Sequence, residues 1–171
     1  METWDAIRSR RNVRAYEDRP IDEEDMDRIL EAARRTPSSS NKQRWDFVVV
    51  RDKDRLKRLS AIWQGARHIP GSAATIALIG PDPEEERDRI SVAYDMGQLT
   101  MSIMVAAADL GIGSGHSSAH DQEVARDVLE IPEGQRCWWL IGLGYPADRP
   151  LRPIVKPDRR PLEDLVRYEK W

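Results

Sequence analysis

A layered sandwich of sheet and helices, of the α+β or α/β kind, is the fold class the sequence predicts, and three observations predict it. Runs short enough for strands stand at residues 45–50, 73–79 and 137–145, the first of them β-branched. Between them lie stretches with the apolar spacing of helices, and strands that alternate with helices must layer to bury their apolar faces. The third observation is a long segment from Glu84 to Leu110 whose second half, Leu99 to Leu110, is apolar nearly all round. Such a helix needs cover on every side.

Taken in order, Thr3 is placed to cap a short helix carrying Trp4 and Ile7, which runs into the arginine-dense stretch Arg8 to Arg14. After Pro20, the run Asp22-Glu23-Glu24-Asp25 puts acid on the first turn of a second helix, where the macrodipole favours it. Met26, Ile29, Leu30 and Ala33 then form one buried helical stripe. Pro37 to Asn41 is a loop by composition, and Trp45 to Val50 a strand. An amphipathic helix from about Asp54 to Gln64 sets Leu56, Leu59 and Trp63 on one side, and Gly65 and Pro70-Gly71 punctuate it. Ala73 to Ile79 is a second strand, stopped by Gly80-Pro81-Asp82-Pro83. Glu84-Glu85-Glu86 then opens the longest helix, which ends at Gly111. A second subunit could supply its missing cover, and Ala93, Gly97 and Ala106 to Ala108 would permit close approach. A strand or turn at Ile112 to His116, a helix at Gln122 to Leu129 and a strong strand at Cys137 to Tyr145 complete the core. Residues 147–171 read as an extended tail with a short helical piece at Leu162 to Val166, and the whole of 1–171 as one domain.

Composition narrows the function classes. The 27 basic and 30 acidic residues leave a net charge of −3, which gives no global attraction to nucleic acid or to an anionic membrane. A single cysteine, Cys137, forbids an intrachain disulfide and any cysteine metal cluster, and fits a reducing, cytoplasmic setting. No run approaches a membrane span, and the first residues lack the apolar core of a signal peptide. Six tryptophans beside the single Phe47 are unusual.

Several motifs fall away on inspection. Gly111 to His116 lacks the spacer of a dinucleotide loop and follows a helix, not a strand, and there is no phosphate loop of the glycine-lysine-serine type. His68, His116 and His120 lack metal-ligand spacing, so no metal is expected. Ser117 and Ser118 near His120 find no further triad member. Two basic clusters remain, Arg10, Arg11 and Arg14 beside Asn12, and Arg149, Arg152, Lys156, Arg159 and Arg160 in the tail. Guanidinium groups chelate phosphate oxygens, so together the clusters suggest an anionic ligand held between the chain ends; singly, each reads as solvated surface.

The residues Arg10-Arg11-Asn12-Val13-Arg14-Ala15-Tyr16 resemble the N-terminal Arg-Arg-Ser-x-Arg-x-Phe stretch of the FMN-dependent nitroreductases. Thr36 to Trp45 is similar to that family's Ala-Pro-Ser-Ser-x-Asn-x-Gln-Pro-Trp segment, and Arg159-Arg160-Pro161-Leu162-Glu163, preceded by Leu143 to Pro146, matches its near-end pattern. The resemblance implies a three-layer α/β/α sandwich with a central mixed sheet and a long helix at a homodimer interface. It implies that Arg10, Arg11 and Asn12 hold the FMN phosphate and ribityl chain, that Arg14 reaches the pyrimidine edge, where reduction leaves negative charge, and that Arg159, helped by Lys156, binds the phosphate from the tail. Pro37, Ser38, Ser39 and Asn41 would contact the flavin of the other subunit, and Gly115, His116 and Ser117 would pass near its dimethylbenzene side. Departures are Asn12 for the serine, Arg44 for the proline before Trp45, and the lack of a helical cap between the Ala73 to Ile79 strand and the long helix. The implied activity is electron transfer from NADH or NADPH to a small organic acceptor such as a nitro compound or quinone. A dehalogenase, dehydrogenase or flavin-cleaving synthase of the same fold, or a non-catalytic flavin-binding protein, are the alternatives.

Overall fold

The computed structural model describes all 171 residues. Four antiparallel strands form one sheet in the order β1-β2-β4-β3. They are β1 (Asp46–Val50), β2 (Ala74–Pro81), β3 (Gly113–Ser118) and β4 (Gln135–Gly144). The parallel component of the expected mixed sheet is confined to one isolated bridge, Asn12 with Ser114, because every other neighbour runs the opposite way. Five helices pack on the two faces: α1 (Thr3–Ser9), α2 (Glu23–Arg34), α3 (Lys53–Leu59), α4 (Glu86–Asp109) and α5 (Gln122–Leu129).

Strand alternation divides the core. Ile76 and Leu78 of β2, with Ile141 and Leu143 of β4, meet Ile29 of α2 and Met96, Leu99 and Ile103 of α4. Ala77 and Ile79, with Cys137 and Leu140, meet Leu56 and Leu59 of α3 and Val128 of α5. Because β2 is covered on both sides it carries no polar alternation, and its sequence is apolar apart from Thr75, whose hydroxyl meets Ser72 Oγ at 3.0 Å. The result is the three-layer α/β/α arrangement.

Several elements differ from expectation for local reasons. Glu2, not Thr3, occupies the cap position of α1, with no side-chain cap bond. α3 is capped by Asp52, which accepts from Arg55 N at 2.8 Å, and it stops at Leu59. The chain continues in 3-10 turns, and Trp63 takes an extended conformation that leaves it 37% exposed instead of buried with Leu56 and Leu59. The tail piece is a single 3-10 turn, Leu162–Asp164, and most of residues 147–171 are exposed.

One face of α4 packs inside, whereas Ile90, Tyr94 and Met101 of the same helix are 62%, 67% and 41% exposed. Gly111, at φ +75°, ends it in a conformation that glycine adopts without strain. Only residues 82–85 separate β2 from α4, so no helical cap is inserted between them. No helix is long and apolar enough to cross a membrane.

Candidate functional site

The arginine segment lies directly on the sheet, and glycines make that possible. Val13 N donates to Ser114 O at 2.9 Å, Glu17 N to Tyr145 O at 2.8 Å, and Ala147 N to Ala15 O at 3.1 Å. A Cβ on Gly113 would come within 2.7 Å of the Val13 side chain, and one on Gly115 within 2.4 Å of Val13 O and 2.9 Å of His68 Nε2. Gly144 likewise makes room for the Tyr16 ring, where a Cβ would stand 2.9 Å away. The Tyr16 hydroxyl sits 2.8 Å from Val13 O and 3.1 Å from Gly142 O, and burial pushes its ionisation well above the ordinary tyrosine range.

An extended backbone sends alternate side chains to opposite sides. Arg10 therefore turns toward α4, where it lines a cavity of about 300 Å³ with Gly97, Thr100, Met101, His116 and Trp139. Arg11 turns the other way and is engaged by the tail, donating to Asp148 Oδ1 and to Arg149 O, each at 2.7 Å. That guanidinium holds the Asp148 carboxyl below its usual range. Arg11, Arg149 and Arg152 border a second, basic hollow of about 510 Å³. Asn12 and Arg14 are exposed.

The strand or turn expected at Ile112 to His116 is the strand β3, which runs on to Ser118, and its alternation decides which residues face the cavity. His116 is presented to it, edge-on to Trp139 with centroids 5.7 Å apart, and the next residue on that side is Ser118. Ser117 turns away: its hydroxyl donates to Ser118 O at 3.1 Å and lies beside Gly65. Ser117, which the family resemblance puts with His116 at the flavin, therefore faces the opposite side of the sheet, as the period of two in a strand requires.

His116 Nδ1 is buried with no hydrogen-bond partner. Burial chiefly, then the charges of Arg10 and Arg14, hold this imidazole below the ordinary histidine range. His68 is shifted the same way by burial, which outweighs its contacts with Gly115 O at 2.9 Å and Gly65 O at 3.1 Å. Both rings are thus neutral in the fold at a pH where the unfolded chain protonates them. Stability is therefore expected to be undiminished by them above about pH 6.5 and to fall as the pH drops below it, because the unfolded state binds more protons. Thermal melts of the ligand-free protein between about pH 7.5 and pH 5 check this, with His116→Asn expected to flatten part of the slope.

The Pro37 to Asn41 segment lies elsewhere within one chain, on the other flank of α4, where Pro37 borders an apolar hollow with Ile7, Met101 and Val105. Its backbone is unusual: Ser40, Asn41 and Gln43 have φ of 52°, 53° and 49°. Asp95 of α4, only 2% exposed, pins it by accepting from Ser39 N at 3.0 Å and Ser39 Oγ at 3.1 Å. Arg44, which stands where the resembling segment has proline, approaches the same carboxylate to 4.0 Å and donates to Ser91 Oγ at 3.0 Å. Arg159 is exposed on the tail, bonded to Asp158 O, and no contact joins it to Arg10 or Arg14.

A family model described as the Nitroreductase family matches residues 7–78 and 61–145. The chain belongs to the nitroreductase family. It is 35% identical over 170 residues to a protein of Archaeoglobus fulgidus, provisionally named an NADH dehydrogenase/NAD(P)H nitroreductase, with 96% of each chain covered. It is 27% identical over 191 residues to the FMN reductase [NAD(P)H] of Bacillus subtilis, covering 99% of this chain and 74% of that one. Among solved structures, an FMN-dependent nitroreductase of Clostridium difficile superposes with a TM-score of 0.84 at 23% identity, over 97% of this chain and 98% of that one. This nitroreductase-family member keeps the arginine segment on its glycine-rich strands and joins β2 to α4 without an inserted cap.

Proposed function

We propose that this chain is an NAD(P)H-dependent flavin oxidoreductase that binds FMN as a homodimer, in the cytoplasm, and passes electrons to a small organic acceptor such as a nitro compound or quinone. The observation that carries the reading is the cavity where Arg10 stands beside His116, whose buried Nδ1 has no partner inside the protein. An orphaned polar atom and an unpaired guanidinium at one hollow fit a ligand that is both anionic and rich in hydrogen-bonding groups. The names of the Bacillus subtilis and Clostridium difficile proteins support FMN as that ligand.

When bound, FMN supplies the two-electron exchange between nicotinamide and acceptor. The residues of this chain bind and orient. In this reading Arg10 and Asn12 hold the phosphate and ribityl chain, Arg11 on the opposite side ties the tail to the body, and Arg159 joins from the tail. Arg14 places positive charge at the pyrimidine edge, and Gly115 and His116 border the ring, with Ser117 behind them. Pro37, Ser38, Ser39 and Asn41 serve the partner subunit's flavin. The exposed α4 face that bears Tyr94 and Met101 is the surface the homodimer would cover.

The experiment is direct. Purified protein is expected to be yellow, to bleach anaerobically with NADH or NADPH, to recover colour with a nitro compound or quinone, and to sediment as a dimer. Colourless protein that takes up no added FMN overturns the reading, and tight FMN binding without bleaching assigns a non-catalytic flavoprotein instead.

A further inference from the structure

The carboxylate that clamps the Ser39 loop belongs to a buried charge pair. Asp95 Oδ1 accepts both hydrogen bonds from Ser39, whereas Oδ2 is buried and accepts none. Facing Oδ2 at 4.0 Å is Nη2 of Arg44, in the one ion pair that Asp95 makes. The Arg44 side chain is itself largely buried, and its Nε finds no acceptor. Ser91, one turn before Asp95 on α4, accepts from the same Nη2 at 3.0 Å. Gly80 of β2 lets the Arg44 backbone lie close, since a Cβ there would stand 3.0 Å from Arg44 O. This guanidinium is therefore built into the body of the protein. Opposite charges held out of water sustain each other, and removal of one leaves the other uncompensated.

The turn that Asp95 clamps needs holding. Ser40, Asn41 and Gln43, at φ of 52°, 53° and 49°, are left-handed without being glycine, and such residues persist only where their surroundings impose the conformation. Within the loop, Gln43 N donates to Ser38 Oγ and Asn41 N to Ser38 O, each at 2.9 Å. Those bonds shape the turn, while the two from Ser39 to Asp95 fasten it to α4. Proline at position 44, as in the resembling segment, would push residue 43 toward extended backbone. Arg44 instead permits the left-handed Gln43 and supplies the charge opposite Asp95.

We infer that Arg44 is a positioning residue of the flavin site, steadying the Asp95 carboxylate and, through Ser39, the turn that serves the partner subunit's flavin. The inference rests on the flavin reading above, and two readouts on the same variants test it. In the ligand-free chain, a lysine-specific protease is expected to cut after the exposed Lys42 about tenfold faster in Arg44→Gln than in the parent, because the turn opens more often. In the FMN-loaded protein, Arg44→Gln is expected to bind FMN about tenfold more weakly and to change the visible circular dichroism of the bound flavin. Arg44→Lys, which keeps the charge, is expected to recover most of both. A merely structural role would lower the melting temperature and leave that dichroism as it was. Asp95→Asn keeps Oδ1 as an acceptor while removing the charge, and is expected to act in the same direction. The double variant Arg44→Gln/Asp95→Asn is expected to be no worse than the worse single, since the pair acts as one unit. Should Arg44→Gln not fold, Asp95→Asn carries both readouts.

Unchanged cleavage after Lys42 overturns the inference, because Arg44 then does not hold the turn. Faster cleavage with unchanged FMN affinity and dichroism overturns it too, because the turn then does not serve the flavin. So does Arg44→Lys behaving like Arg44→Gln, which takes the charge out of the account. In each case a parent that binds FMN and bleaches with NAD(P)H keeps the flavin reading. A parent that takes up no FMN loses both, and faster cleavage then leaves the clamp as a feature of the fold alone.

Discussion

Arg10→Ala is expected to weaken FMN binding by about 10- to 100-fold while leaving the melting temperature of the ligand-free protein nearly unchanged. The two halves of this expectation have one cause. Within the chain the Arg10 side chain makes no ion pair and no hydrogen bond, so its removal takes nothing from the fold. It also takes away one of the charges that hold the His116 imidazole below the ordinary histidine range. What it removes is the cation facing the hollow, and hydrogen bonds to charged groups are worth roughly 1.5–3 kcal/mol. Fluorescence titration of apoprotein with FMN, beside a thermal melt, measures both. An unchanged affinity would relocate the phosphate to the hollow of Arg11, Arg149 and Arg152. Arg11→Ala is the informative contrast, because that side chain holds Asp148 and Arg149 O and its loss frees the tail from the body.

That contrast shows what a single sequence makes legible. Arg10 and Arg11 are indistinguishable in a string of letters; an extended backbone parts them, and a carboxylate 137 residues away fixes the role of one. The strands, α2 and α5 were legible because each depends on its own residues: α5 runs from Gln122 to Leu129 where its apolar period places it. The clamp on the Ser39 loop was not legible, since it depends on Asp95 arriving from a helix over fifty residues later in the chain. Nor was the groove beyond His116. Trp138 and Trp139 read only as apolar strand residues, and their meeting with His120, Arg136 and Gly97 is a product of the sheet order. The tryptophan excess nonetheless acquires a partial account, because Trp63, Trp138 and Trp139 all gather at that groove.

Gly115→Ala should be the most damaging small substitution in the site. In most strands an added methyl costs little, but here the Cβ would stand 2.4 Å from Val13 O and 2.9 Å from His68 Nε2. Neither neighbour can step aside at low cost. Val13 O is main chain, and the His68 ring is confined between Gly65 O at 3.1 Å and Gly115 O at 2.9 Å, one of which accepts its single N–H. Overpacking of this kind costs about 1–3 kcal/mol, or some 2–12 °C in melting temperature for a chain of this size. The relief route matters more than the amount. To escape the clash, the Asn12 to Tyr16 segment has to lift from β3, breaking the Val13 N to Ser114 O bond and moving Arg14 with it. FMN affinity is therefore expected to fall in Gly115→Ala by more than tenfold although no polar group has been removed. Gly71→Ala is the matched control: it adds the same methyl where no atom lies within 4 Å, and both melting temperature and affinity should match the parent. If Gly115→Ala melts lower but binds FMN as the parent does, the arginine segment does not hold the cofactor, and the site has to be sought along α4.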